Sequence, residues 1–397
     1  MTAVHRFFHD GFRVFFSAAA LYAILTIGIW EFWLIWADQF GPPQMPFAPA
    51  PQLWHAHEMI FGYGAAALGG FFLTAVPNWT GARAAPHLFV ALVAGLWLVG
   101  RLALWTSASL PPFVVMGLDL AFVPVLAANI LGQLLKQPKP QNMLFLGVLA
   151  LLWLGNLFMH LEWVGLADDT AWAGLRAGLL ALIAMIAILG GRVTPAFTKN
   201  AMVQAGITTH LPRNPMPLIA ITISCALALP LGYLLGLPDR AIGAVAIAAG
   251  LSSLVRLALW RTSWTLDKPI LWALHLGYLW LGLGLILLGL AQFGIGTEIA
   301  ALHLLGIGAV GGMTIAVMTR AIYGHTGRPL MASPSVALAY GCIALATILR
   351  WTGASFPPFS NTANWTAGAL WIMAFSLFLF SLWPALTGPR LPKDATP

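Results

Sequence analysis

Apolar runs of about 20 residues recur along nearly the whole chain and constrain it more than any other feature. They fall at 13–36, 55–77, 87–106, 112–135, 142–161, 170–191, 216–236, 239–260, 270–292, 299–323, 334–351 and 363–386. A run of that length crosses a bilayer as a helix, and because lipid offers no partner to an open backbone group, each run must satisfy its own N–H and C=O groups. The expected fold is therefore all-α: a polytopic transmembrane helix bundle of about 12 spans, forming a single transmembrane domain over 1–397. Hydrophobic residues make up 60% of the sequence and charged residues 8%, which excludes a soluble globular domain. Breaks such as Gly41-Pro42-Pro43 and Phe356-Pro357-Pro358 mark where spans stop. The first run follows Arg6 and Arg13 and carries no small-residue cleavage pattern, so it reads as a retained helix and not a signal peptide.

The formal net charge of +7 does not point to nucleic acid, because the basic residues are spread singly through the connecting loops. Assigning alternate loops to opposite faces places fourteen Lys and Arg, from Arg6 to Lys393, on the face that holds both termini. Arg240 stands alone on the other. The positive-inside rule then predicts both termini to be cytoplasmic. Cys225 and Cys342 both lie inside apolar runs, so neither a disulfide framework nor a covalent haem attachment is available. Any haem must be held non-covalently.

Ionisable groups in lipid are costly and are read as functional by default, and the densest group is Trp54-His55-Ala56-His57-Glu58-Met59. On the predicted topology His55 and His57 open span 2 from outside, His303 opens span 10 from outside, and His160 ends span 5 there. Glu31 and Glu58 belong to the same layer. His275, His87 and His325 fall near the cytoplasmic end, with Arg192 and Arg328 in Gly-rich turns close by. The plain alternative is that the outer cluster caps a helix at the headgroups and the arginines anchor the inner face. Imidazoles from several spans in one layer suit haem iron or copper instead. His57-Glu58-Met59-Ile60-Phe61 lacks the second histidine of a zinc-protease motif, and Gly306-Ile307-Gly308-Ala309-Val310-Gly311 lies within a span with no strand before it. A faint repeat also shows: Trp105-Thr-Ser-Ala-Ser-Leu-Pro-Pro-Phe echoes Trp351-Thr-Gly-Ala-Ser-Phe-Pro-Pro-Phe, and spans 2 and 10 both open with His and become Gly-rich. Three four-helix units would place His57 and His303 in related positions.

Trp54–Gly81, Asn156–His160, Gly190–Thr198, His275–Trp280 and Ala301–Leu330 together resemble the NnrS family of bacterial membrane proteins, in order and spacing. The resemblance implies a multi-pass inner-membrane protein that carries haem, non-covalent and of b type, together with copper, and that takes part in denitrification and in relief of nitric oxide stress. The leading expectation is an oxidoreductase that binds nitric oxide and reduces it to nitrous oxide, fed by an electron donor that the sequence does not name. The alternatives are a haem-dependent protein that sequesters NO without turnover, and a transporter of a metal or small ligand. His55, His57, His160 and His303 are the expected metal ligands. Glu31 and Glu58 are the expected proton carriers. His57, His303, His275 and His325 are candidate haem ligands, with Arg192 and Arg328 pairing propionates. For the inner layer, the expectation is either a second redox centre at His275 or a path for proton entry alone.

Overall fold

The computed structural model describes residues 3–392, which contain helices and no strand. Lys393, counted above among the cytoplasmic charges, lies outside the described residues. Among the described residues, twelve helices are long and apolar enough to cross a membrane: α1 (Gly11–Phe40), α2 (Pro51–Thr80), α3 (His87–Trp105), α4 (Pro112–Leu134), α5 (Pro140–Trp163), α6 (Ala171–Gln204), α7 (Met216–Leu234), α8 (Asp239–Ala258), α9 (Pro269–Gln292), α10 (Glu298–His325), α11 (Pro334–Ser355) and α12 (Ser360–Thr387). This bears out the all-α, twelve-span expectation, and the protein is a multi-pass membrane protein.

Local chemistry sets the ends. Proline occupies the first turn of α2, α4, α5, α9 and α11, where its missing N–H removes nothing from the helix ladder. Ser333 caps α11 by accepting from the Val336 N–H at 3.3 Å, and Thr297 caps α10 by accepting from the Ala300 N–H at 3.3 Å. α2 ends on Gly81, whose φ of 66° is left-handed. Two helices change pitch inside the span: α2 winds as a π-helix over Glu58–Gly64, and α10 over Leu304–Gly311. α6 runs on past residue 191, where a span end was expected. Pro195 lies within its continuing helix.

Residues Met1–Gly178, Ala321–Arg328 and Leu382–Pro397 form one compact unit, and Leu179–Arg320 with Pro329–Ser381 form the other. In the first unit Phe15, Phe16, Phe72 and Phe145 are fully buried, and Gly69 and Gly70 give the first two rings room against α2. Arg13, also buried, donates from Nη1 to the carbonyls of Ala385, Leu386 and Gly388 at 3.1, 2.7 and 2.9 Å. A cation at the carbonyl end of a helix is favourably placed. In the second unit α8 and α9 meet through glycines. A Cβ built on Gly250 would lie 2.6 Å from the Gly282 carbonyl oxygen, and one on Gly289 would lie 2.6 Å from that of Gly243. Small residues at such a seam let two helix backbones approach closely in lipid.

The sidedness inferred from loop charges gives a direct test. A reporter fused after residue 397 is expected to read cytoplasmic, and one inserted in the 162–169 loop to read outside. The same side for both would remove the layered reading of the histidines.

Candidate metal centre

The site lies wholly in the first unit, where five helices contribute to it. His57 of α2 is fully buried, and its Nδ1 lies 2.8 Å from Oε1 of Glu58, the next residue. Adjacent residues on an α-helix point about 100° apart. The carboxylate therefore folds back to the ring at the point where the π pitch begins. Glu58 also accepts from Nη1 of Arg101 on α3 at 2.6 Å and from the Tyr22 hydroxyl on α1. Gly62, one turn on, makes this possible: a Cβ there would fall 2.5 Å from the Tyr22 ring and 3.1 Å from Glu58 Oε2. The Gly62 carbonyl accepts from the Trp97 indole at 2.9 Å.

On the other edge of His57, Nε2 lies 2.8 Å from Asn156 Oδ1 on α5 and 3.2 Å from Asp119 Oδ2 on α4. Asp119 Oδ2 accepts from Asn156 Nδ2 at 2.8 Å and lies 2.8 Å from His160 Nε2, while Asp119 Oδ1 pairs with Arg101. Glu58, Asp119 and His160 are all buried. The Trp163 ring packs at 5.4 Å from His57 and 5.1 Å from His160, and Phe61 closes on His57 at 5.0 Å. The polar core is sealed by aromatics.

Hydrogen-bond accounting sets what this arrangement requires. The Asn156 amide is oriented by its N–H bond to Asp119, so its oxygen faces His57. Both ring nitrogens of His57 then look at oxygens that only accept. A neutral imidazole donates from one nitrogen only, so these two edges are satisfied together by a second proton on the ring or by a metal ion at Nε2. The potential ligand atoms of His57, Asp119 and His160 all lie within 4.8 Å of one another. Two imidazole nitrogens and a carboxylate oxygen suit zinc, iron or copper. Two carboxylates against one guanidinium also leave a net negative charge for an ion to balance.

The family model described as NnrS protein matches residues 6–390. The chain belongs to the NnrS family. No curated protein matches it. Membership fits a nitric-oxide-related membrane protein, and in this NnrS member the group able to bind a metal is the His57, Asp119 and His160 set.

The structure of this NnrS protein brings together only some of the residues expected from sequence. His57, Glu58 and His160 converge. His55 instead stacks on Trp30, ring centres 4.6 Å apart. Glu31 is half-buried on α1, more than two turns beyond Tyr22, the α1 residue that reaches Glu58. His303 is half-buried in the second unit, with Nδ1 on the Ile299 carbonyl at 2.7 Å. His275, buried in the same unit, has both nitrogens on hydroxyls: Nε2 is 2.8 Å from Thr198 Oγ1 and Nδ1 is 2.9 Å from Thr262 Oγ1. His325 stacks on Phe12 at 5.7 Å. Arg192 is exposed, and Arg328 donates to the Pro384 carbonyl at 3.1 Å.

The sequence alone did not mark Asp119, Arg101 or Tyr22 as site residues in this NnrS member, and it brought in Asn156 only within the Asn156–His160 block. The signal for the first two was present, since each is an ionisable residue well inside an apolar run. Nor did the sequence mark Arg256, the buried cation of the second unit. Pro195 has no N–H to offer the carbonyl four residues back, and that carbonyl, Gly191, accepts from Arg256 Nη2 and Asn214 Nδ2, each at 2.9 Å. The Gly190-Gly191-Arg192 block therefore seats Arg256, and a Cβ at Gly191 would press on the guanidinium.

Proposed function

We propose that this NnrS protein is a haem- and copper-dependent redox protein of the bacterial inner membrane, which binds nitric oxide and reduces it to nitrous oxide. The observation that carries this reading is the buried convergence of His57, Asp119 and His160, whose potential ligand atoms all lie within 4.8 Å of one another. The donor set fits copper as one of the ions that imidazole with carboxylate accepts. Such an ion would supply a Lewis-acidic, redox-active point at which NO is held.

The rest follows from the chain's own groups. His57, Asp119 and His160 hold the ion. Arg101 bridges Glu58 and Asp119, fixing both carboxylates and offsetting one of their charges. Joining two NO molecules to nitrous oxide and water takes up two protons and two electrons. Tyr22 donates to Glu58, and Glu58 lies against His57 Nδ1, so Glu58 fixes the Nδ1–H form that leaves Nε2 for an ion and holds a proton within the cluster. The rings of Phe61 and Trp163 keep bulk water from His57 and His160. In the second unit the two threonine hydroxyls on His275 support the proton-entry alternative for the inner layer.

Purified protein kept reduced by an excess of a small-molecule electron donor under anaerobic NO tests the reading. Steady nitrous oxide production is expected, with His57→Ala and His160→Ala losing both bound metal and production. Production undiminished in both variants would overturn it. A single stoichiometric spectral change would assign a binder, and a wild-type protein without haem would favour a transporter.

A further inference from the structure

The candidate ligands are sealed. His57, Asp119 and His160 are 0%, 4% and 1% exposed, so an ion reaches them only if something moves. Their places in the helices set the way in. His160 lies three residues from the end of α5 at Trp163 and twenty from its start at Pro140, which at 1.5 Å per residue is about 5 Å from one end and about 30 Å from the other. His57 lies within the first two turns of α2. A sideways path would carry a bare ion through hydrocarbon, where its desolvation is prohibitive. The short way out passes Trp163, a half-buried ring 5.4 Å from that of His57 and 5.1 Å from that of His160.

Residues 41–50 join α1 to α2 at this end of the unit as a strap without helix. Pro42, Pro43, Pro46 and Pro49 give it no N–H with which to wind or to bind what lies beneath. Phe47 is its one buried residue. That ring stacks on Trp54 with centres 4.6 Å apart and planes 3° from parallel, and it meets Trp105 at 5.7 Å. Trp163 packs against the same cluster, so the ring that covers both imidazoles is held in turn by the seat of Phe47. Two hydrogen bonds tie the strap to the turn Ser107–Ser109: the Ala48 N–H donates to Ser107 Oγ at 2.9 Å, and the Ala108 N–H donates to the Pro46 carbonyl at 3.1 Å. At its start Gly41 has φ 83°, and a Cβ there would meet nothing within 4 Å. Such a conformation suits glycine and leaves a pivot in open space. In the closed arrangement the Trp54 indole N–H is buried without an acceptor, a cost that contact with water removes.

Resting on the metal-centre reading above, we propose that the 41–50 strap is the lid through which the ion loads. It pivots at Gly41, withdraws Phe47 from Trp54 and releases Trp163, whose ring then turns off His57 and His160. A segment held by one buried side chain and a few hydrogen bonds opens locally, without the unit unfolding. The other residues of the strap are already exposed or half-buried, so lifting it uncovers little beyond the Phe47 seat. The spans beneath keep their own backbone ladders throughout, and the ligands stay on their helices.

Full-length protein in detergent, stripped of metal, decides it with cobalt(II) as the probe. Uptake is followed by the visible absorption of the bound ion, and release by adding excess EDTA. Phe47→Ala is expected to speed both by one and the same factor, about tenfold, which is the weight of one buried phenyl ring in an opening equilibrium. Cobalt content at saturation should not change. Phe47→Leu keeps an apolar side chain in the seat and should speed both by less. Phe145→Ala is the control: it empties a fully buried position of the same unit, eighteen residues before Trp163 on α5, and should leave both rates near those of wild type. Unchanged rates in both Phe47 variants would overturn the lid, as would an equal acceleration in Phe145→Ala or a cobalt content lowered in both Phe47 variants. Wild-type protein that takes up no cobalt would instead overturn the metal-centre reading itself.

Discussion

Arg101→Met is expected to destabilise the metal-free protein by about 3–5 kcal/mol, the range for breaking a buried pair by removing one partner. Arg101 holds Glu58 Oε1 at 2.6 Å and pairs with Asp119 Oδ1, and all three groups are buried. Without it two carboxylates remain on either side of His57 with no fixed cation between them. Two further results distinguish this from a general packing defect. Adding Asp119→Asn should restore part of the loss, because neighbouring charges in one network are not additive. Loading the site with a divalent ion should restore more in Arg101→Met than in wild type, since the ion brings the missing positive charge. Thermal unfolding in detergent, with and without metal, reads all of these. A loss in Arg101→Met within about 0.5 kcal/mol of zero, the range for ordinary surface changes, would show that the cluster is not electrostatically coupled as drawn.

Gly250→Val in the second unit should be of comparable size for a different reason. The first atom added at Gly250 would lie 2.6 Å from the Gly282 carbonyl oxygen and 2.9 Å from the Ile286 backbone nitrogen. Neither is the end of a flexible side chain, so the α8 and α9 backbones would have to separate. Overpacking costs about 1–3 kcal/mol and more where the backbone must shift, and the upper end is expected here. Gly95→Val is the control: Gly95 is exposed on α3 with nothing within 4 Å of an added Cβ. It should change stability by about 0.5 kcal/mol or less. Equal effects in the two variants would refute a tight glycine seam between α8 and α9.

The sequence by itself determined the spans, because a run of some 20 apolar residues has one way to satisfy its backbone in lipid. It also singled out His57 and Glu58, since two ionisable neighbours opening an apolar run are conspicuous in composition alone. His160 could be placed at the same end of the bundle by counting spans. His55, two residues from His57, met the same criteria and yet turns to Trp30. Layer position cannot tell the direction in which a side chain points.

Only the tertiary structure decided which groups complete the site. Arg101, Asp119 and Asn156 come from three helices, and no periodicity within one helix encodes a contact with another. Each looked isolated in its own run, while the fold places them within hydrogen-bond reach of His57, Glu58 and His160. The π turns were equally hidden. A change from i→i+4 to i→i+5 bonding alters the direction of every later side chain without altering composition, so the segments after His57 and His303 read as ordinary Gly-rich helix until the backbone was seen. The Gly190-Gly191 block shows the same limit: Gly191 leaves room for Arg256, which lies far along the chain and reaches Gly191 only because the fold brings α8 against the carbonyl that Pro195 leaves open.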